Sequence, residues 1–319
     1  MSINKLEDLL YDDDVNKSNL TLLLGQFKRE NFVAFIGAGL PCGMKDVPSW
    51  AGLHKRLKTE YSIKQVKERK LPDSFSYLYE KCSPKEEFYK QVFKFVKPST
   101  SPPSVYYIIH DNFDCYATTN FYDPIEDADS VKEWGIRKRY FAFPESLENQ
   151  KDSLTYLHGH PDIGFCILRR EDYDYFYPSL SKRHIGVPVL ENSLRYLFTQ
   201  KQIIFLGCSI EDHLKEFLRY LINYAKGDDI NKAVVSRENV QEHFWIIDQS
   251  VIEIDEKLGV DKKKVIVKKF FENYSALKIR PILYNKNEHL FVDHLCEALG
   301  LKRKPIEVVE QPDIKEPVS

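Results

Sequence analysis

Six short, apolar, β-rich runs separated by longer charged stretches of helical periodicity predict an α/β protein, a Rossmann-like parallel sheet with helical insertions forming a smaller subdomain. Small or polar residues follow five of those runs, which would put a ligand crevice along one edge of the sheet. The 319-residue length and the 43% hydrophobic, 13% aromatic and 29% charged composition allow one large or two modest globular domains with a sizeable core. A net charge of −2 gives the chain as a whole no attraction to nucleic acid or to an anionic membrane.

Residues 1–31 are expected to form an N-terminal helical arm, with Leu20, Leu23, Leu24 and Phe27 at helical spacing and Ser18 or Asn19 as its cap. The main domain then spans 32–300. Its strands are expected at FVAFI (32–36), FDCYA (113–117), SLTYL (153–157), IIFL (203–206), FWII (244–247) and PILY (281–284). The clearest helix follows IIFLG, where Leu214, Phe217, Leu218, Leu221 and Ile222 share one face and Ser209 and Asp212 are spaced as a capping pair. Intervals 51–112 and 124–152 exceed simple crossovers and are assigned to helical insertions, the first carrying KEEFYKQVFKF with Phe88, Val92, Phe93 and Phe95. DKKKVIVKK at 261–269 reads as a solvated face around a short strand, a nucleic-acid contact being the minority alternative. Residues 301–319 hold three prolines and no apolar periodicity, as in a tail or an arm ordered only on a partner.

The six cysteines, Cys42, Cys82, Cys115, Cys166, Cys208 and Cys296, include no Cys-x-x-Cys pair, which argues against a zinc module of the usual spacing. They read as reduced thiols of a cytoplasmic protein. MSINKLEDLLYDDD places acids where a signal peptide needs an apolar stretch, and no uncharged run approaches the ~18 residues of a membrane span, so neither secretion nor insertion is expected.

The ends of the expected strands carry the candidate chemistry. After FVAFI come Gly37, Ala38 and Gly39, a turn in which backbone can pass close to a pyrophosphate, whose charge suits free N–H groups and a helix dipole. With Gly43 the spacing is Gly-x-Gly-x-x-x-Gly, not the dinucleotide fingerprint, and such turns also occur without nucleotides. Thr118, Thr119 and Asn120 supply hydroxyls and a carboxamide that can hold sugar hydroxyls or a water, or simply cap a turn toward Asp123 and Pro124. His158, beside Gly159, has the residue type of a general base or of a structural histidine. His160, followed by Pro161 in an expected turn, has the weaker claim. Gly207, Cys208 and Ser209 follow IIFL, and Asp248 follows FWII.

GAG after the first strand, TTN after the second, HG after a later one and LGCSIED entering a helix together resemble the sirtuin family over roughly residues 30–300, most closely its bacterial anti-phage defence branch. ILRREDYDYFY at 167–177 and KIRPILYNKNEHLFVDHLCEAL at 278–299 are similar to stretches of that branch. The resemblance implies a Rossmann-type NAD domain with a helical subdomain and an asparagine and a histidine at the nicotinamide ribose. Asn120 and His158 match these two as catalytic residues. Gly37, Ala38, Gly39, Thr119, Asp123, Gly207, Cys208, Ser209 and Asp248 match the NAD-binding positions, Asp248 as a polar ribose contact.

Departures narrow the activity. The paired cysteines that hold zinc in deacylating sirtuins are missing, so zinc is not expected and deacylation is disfavoured. Pro41 replaces a serine of the phosphate loop. The family aspartate two residues after the asparagine is Tyr122 here, with Asp123 one place later, while Glu126 keeps the six-residue offset from Asn120 seen in the defence branch. The resemblance therefore implies an NAD hydrolase, a toxic effector of antiviral defence that releases nicotinamide and ADP-ribose. The expected control is self-assembly as a homo-oligomer or a partner such as a HerA-type ring ATPase or a short Argonaute-like sensor protein. An NAD- or ADP-ribose-binding assembly subunit without turnover is the alternative, and a nicotinamide-dependent dehydrogenase is the weakest reading.

Overall fold

A computed structural model of the chain describes residues 6–42, 44, 47–63, 70–97, 102–129, 137–141, 153–177, 188–208, 210, 213–224, 239–252, 260–285 and 288–301. Seven parallel strands form its main sheet: β1 (Phe32–Ile36), β2 (Cys115–Thr118), β3 (Arg137–Tyr140), β4 (Ser153–Tyr156), β7 (Gln202–Leu206), β8 (His243–Asp248) and β9 (Ile279–Tyr284). A hairpin of β5 (Gly159–His160) and β6 (Phe165–Cys166) stands apart. The sheet order is β3-β4-β2-β1-β7-β8-β9, so the chain reverses its direction of growth between β1 and β7. Beyond the carboxyl ends of strands at such a reversal, the flanking loops part and leave a crevice.

The apolar runs are buried on both sides because alternate residues enter opposite cores. Val33 and Phe35 of β1 join one cluster with Ile203 and Phe205 of β7 and Trp245 of β8, while Phe32, Ala34 and Ile36 join the other with Ile204, Leu206 and Phe244. The first face is covered by α8 (Pro188–Gln200), α9 (His213–Tyr224) and α10 (Val260–Ser275), the second by α1 (Asp14–Gln26), α6 (Ser104–Asn112) and α11 (Glu288–Ala298). In α9 the expected apolar set, from Leu214 to Ile222, is buried. A third cluster joins α3 (Trp50–Glu60), α4 (Leu71–Lys81) and α5 (Lys85–Val96) around Leu53, Phe75 and Phe88, and draws in Phe121 and Cys166. The parallel, doubly covered sheet with a helical cluster beside it has the predicted α/β, Rossmann-like architecture.

Several local expectations are corrected. The 261–269 run is helical: it opens α10, whose Val267, Phe271 and Tyr274 face the sheet while Lys264 and Lys268 face solvent, so the 3.6-residue period emerges only beyond the run. Within the 124–152 interval read as helical, residues 137–140 form the edge strand β3, whose sequence RKRY lacks an apolar run because an edge strand is half-exposed. The second strand ends at Thr118, and Phe113 caps α6 instead of starting it. Helix α1 is capped by Asp13, which accepts from the N–H groups of Val15 and Asn16, and neither Ser18 nor Asn19 serves as cap. The capping pair Ser209 and Asp212, residue Gly43 and the segment 302–319 lie outside the described residues.

The N-terminal segment covers the β9 edge. The Asn16 carboxamide donates to Leu283 O and accepts from Leu283 N, both at 2.8 Å, as a neighbouring strand would, and Asn19 donates to Pro281 O. Leu10 forms an antiparallel bridge to Tyr284. Cys82, Cys115, Cys166, Cys208 and Cys296 are free, buried thiols, and among the described residues no helix is long and apolar enough to cross a membrane.

Replacing Asn16 by Ala leaves the buried Leu283 N–H without its partner and is expected to lower the free energy of urea unfolding by about 1–3 kcal/mol. An unfolding curve superimposable on the wild type would contradict the strand-mimic role.

Candidate functional site

At the reversal point a crevice of about 430 Å³ opens between Gly37, Ala38 and Gly39 after β1, Gly207 and Cys208 after β7, and Asp248 at the end of β8. Ser49 and Trp50 from the start of α3 close it on one side and Tyr284 from β9 on the other. A smaller apolar compartment adjoins it, shares Ala38, Ser49, Trp50 and Thr119, and continues to Asn120 and Leu53. Asp248 is the only charged residue among the described lining of the larger compartment.

The glycines permit the close approach of two strand ends. Gly207 has φ +61°, and a Cβ there would overlap Leu40 N; a Cβ on Gly37 would meet Gly207 O and Cys208. Gly37 N donates to Leu206 O at 2.9 Å and Gly39 N to Gly207 O at 2.7 Å. The Trp245 indole donates to Cys208 O at 2.7 Å and holds the turn from below. The N–H groups of Gly37 and Gly39 are therefore engaged by protein carbonyls, and helix α2 (Gly39–Cys42) has a single turn, too short for the dipole the sequence reading attached to this loop.

After β2 the chain turns at Thr119 and Asn120. Asn120 N donates to Thr118 Oγ1 at 3.0 Å, and Asn120 Nδ2 donates to Asp123 Oδ2 at 2.8 Å. With Nδ2 engaged in this contact, Oδ1 is the acceptor left on the carboxamide, and Asn120 lines the smaller compartment. The one-residue displacement of the aspartate thus still brings Asp123 to Asn120. Asp123 lies behind the crevice, fully buried, and touches Asn120 where the crevice lining does not reach it. Burial pushes its carboxyl up, hydrogen bonds from Asn120, Ile125 N and Thr118 offset part of this, and the nearby Glu126 charge adds to it, leaving the group at about 7. Thr118 Oγ1 lies 2.7 Å from Ile36 O and 3.1 Å from Asp123 Oδ2, and its single hydrogen serves one of them. Both contacts are satisfied together when Asp123 carries the proton.

His158 follows β4, next to β2, where Leu157 N donates to Thr118 O at 2.9 Å. Its imidazole packs edge-on to Tyr173 and Tyr177, with Nε2 2.6 Å from Tyr177 Oη. Burial raises the Tyr177 phenol far above its ordinary range, which keeps it protonated and able to donate or accept. His158 is 5% exposed and lines neither compartment. His160 is also buried and joins a separate polar group with Glu126 and Asp162.

The structure thus gathers Gly37, Ala38, Gly39, Thr119, Gly207, Cys208 and Asp248 around one crevice, sets Asn120 in the adjoining compartment and keeps His158 on the neighbouring strand end. Ser209 lies outside the described residues. Asp248 Oδ1 accepts from Ser250 N at 2.7 Å and so caps the turn that forms the crevice rim. Sequence reasoning missed Ser49, Trp50, Tyr177 and Tyr284. Of these only Ser49 carried a signal, as a capping residue ahead of an apolar helix face. Among the described residues no group of three or more His, Cys, Asp and Glu side chains is placed to hold a metal.

Because the folded protein holds the Asp123 proton up to about 7 while the unfolded chain releases it near 4, the stabilisation is complete in acid and disappears as pH rises through about 7. Wild type is expected to lose about 2 kcal/mol of stability relative to Asp123→Asn between about pH 5.5 and 8.5. Denaturation midpoints whose gap is the same at both pH values would disprove it.

No curated protein matches the chain. Among protein families, residues 114–273 match the SIR2-like domain, a stretch that runs from β2 to α10 and contains Asn120, His158, Gly207 and Asp248, while Gly37–Gly39 precede it. Such domains in general use NAD, and an NAD-dependent activity is compatible with the two-compartment crevice. With the match covering half of its 319 residues, on the parallel sheet and strand-end crevice described above, the chain belongs to the SIR2-like domain family.

Proposed function

We propose that the protein is an NAD glycohydrolase that releases nicotinamide and ADP-ribose. The observation that carries this reading is the join between two compartments: a larger one that reaches Ser250 and Asp248, and a smaller, apolar one that reaches Leu53 and Asn120, with Ser49, Trp50 and Thr119 common to both. A dinucleotide with a flat ring at one end has the same two-part character. Hydroxyl and carboxylate groups suit its sugars, and aromatic and aliphatic walls suit the ring.

When NAD is bound, it brings a leaving group that starts as a cationic pyridinium and departs neutral, so the protein needs no general acid. The Asn120 Oδ1, presented by the Asp123 contact, accepts a hydrogen bond from a ribose hydroxyl or from the attacking water. Trp50, Leu53 and the apolar wall exclude bulk water from the ring end. The resemblance makes His158 the base toward that water or a ribose hydroxyl, a role of about 10²–10⁴-fold in rate that requires its Nε2 to turn from Tyr177 toward the crevice. The similarity to the defence branch supports a toxic effector of antiviral defence, active in the cytoplasm on self-assembly or on binding a HerA-type ATPase or another sensor protein.

A second reading, an NAD- or ADP-ribose-binding assembly subunit without turnover, is favoured by one observation: His158 lines neither compartment and is engaged by Tyr177. Incubation with NAD and chromatography of nicotinamide, on the protein alone and with whatever copurifies, separates the two. Asn120→Ala and His158→Ala are each expected to lower nicotinamide release by at least about 10²-fold. Full turnover by either variant removes that residue from the mechanism, and binding without turnover by the wild type selects the second reading.

A further inference from the structure

Behind Asn120 a chain of buried hydrogen bonds runs to the β3 edge. Asp123, which holds the Asn120 amide, donates its own N–H to Tyr156 Oη at 3.1 Å. The Tyr156 hydroxyl donates to Glu126 Oε1, to which His160 Nε2 also donates at 3.1 Å. Asp162 N donates to His160 Nδ1 at 3.0 Å, which fixes the tautomer with the hydrogen on Nε2 and aims it at Glu126. Lys138 from β3 lies 2.8 Å from Glu126 Oε2 and 3.0 Å from Asp162 Oδ2. Glu126 therefore collects three donors from three strands' worth of chain, β3, β4 and β5. Burial pulls its carboxyl upward, but the bonds from His160, Lys138 and Tyr156 outweigh it and hold the group below its ordinary range, so it stays ionised.

The geometry bears on the site because Asn120, Asp123 and Glu126 belong to one short loop, while Tyr156, His160 and Lys138, which hold the Glu126 carboxylate, come from outside it. Tyr156 is the joint. Its oxygen accepts from the Asp123 backbone and donates to the Glu126 side chain, and its ring is packed, fully buried, beside His160 with centroids 4.5 Å apart. A loop tethered at both of these positions has little freedom to turn the carboxamide that its first residue presents.

We infer that Glu126, acting through Tyr156, is a positioning residue that fixes the loop carrying Asn120 against the edge of the sheet. This rests on the hydrolase reading for its kinetic consequence, but the positioning itself is a property of the folded chain. Glu126 touches neither compartment; its effect on turnover passes through the Asp123 backbone and the Asn120 amide.

Tyr156→Phe removes only the joining oxygen, Glu126→Gln only the charge, and the double variant removes both. Tyr156→Phe is expected to lower kcat for nicotinamide release about ten- to hundredfold with KM for NAD within about twofold, and the double variant to be no slower than Tyr156→Phe. A second readout needs no turnover: in ¹⁵N-labelled protein the Asn120 side-chain amide hydrogens exchange about tenfold faster in Tyr156→Phe than in wild type. Unchanged amide exchange overturns the inference even if the wild type proves inactive, an outcome that instead defeats the hydrolase reading. In an active enzyme the inference is also overturned by an unchanged kcat in either single variant, Glu126→Gln included, by effects of the two substitutions that multiply, or by a loss of rate that merely follows the folded fraction measured by near-ultraviolet circular dichroism.

Discussion

The close approach of Gly37 and Gly39 to Gly207 governs the rest of the structure. Two parallel strands, β1 and β7, meet at the point where the sheet changes its direction of growth, and their ends are tied by hydrogen bonds from Gly37 N and Gly39 N to Leu206 O and Gly207 O. A side chain at Gly37 or Gly207 would displace backbone there, so the contact requires residues without Cβ. With those ends drawn together, the turns after β2 and β8 bring Thr119 and Asp248 to the two walls of one crevice. The expected benefit of this loop was a set of N–H groups offered to a ligand. What the fold derives from it is the close joining of the strand ends that shapes the cleft.

A second constraint operates beside the crevice, where polar groups are buried in quantity. Asp123, Thr118, Asn120, Tyr156 and His160 are all largely removed from solvent. Burial of such groups is tolerable when their hydrogen-bonding capacity is met, and here one residue's donor repeatedly meets the next residue's acceptor. A satisfied network of this type has few alternative arrangements, because turning one member leaves its neighbour unpartnered in a medium where that is costly. The same logic links two residues that a reading of motifs would treat separately: the displaced Asp123, next to Asn120, and Glu126, six residues after it. One holds the amide and the other holds the loop.

Much of the architecture was legible because periodicity is a local property. The five-residue run FVAFI and the i, i+3, i+4 pattern from Leu214 to Ile222 announce a doubly buried strand and an amphipathic helix by themselves. Where the period had to be judged over a short window, as in DKKKVIVKK, it misled, since the residues that define the buried face of α10 include Phe271 and Tyr274 outside it. The edge strand β3 escaped for a related reason: with one side open it needs no continuous apolar run, and its Lys138 is chosen by Glu126 and Asp162 across the sheet. Asn19 of α1 was expected as a helix cap and instead, with Asn16, serves the edge of β9, some 260 residues away in sequence.

The candidate site divides along the same line. The sequence by itself determined the α/β class, most of the strands, and the clustering of small and polar residues at their carboxyl ends, because strand burial and glycine turns are written in consecutive residues. Only the tertiary structure decided that Asp123 reaches Asn120 despite its shifted position, that His158 is held by Tyr177, and that Ser49, Trp50 and Tyr284 wall the crevice. Those facts depend on which strand ends lie side by side and on which buried donor meets which acceptor. Such matches are made between segments far apart in the chain, and no local pattern of residues encodes them.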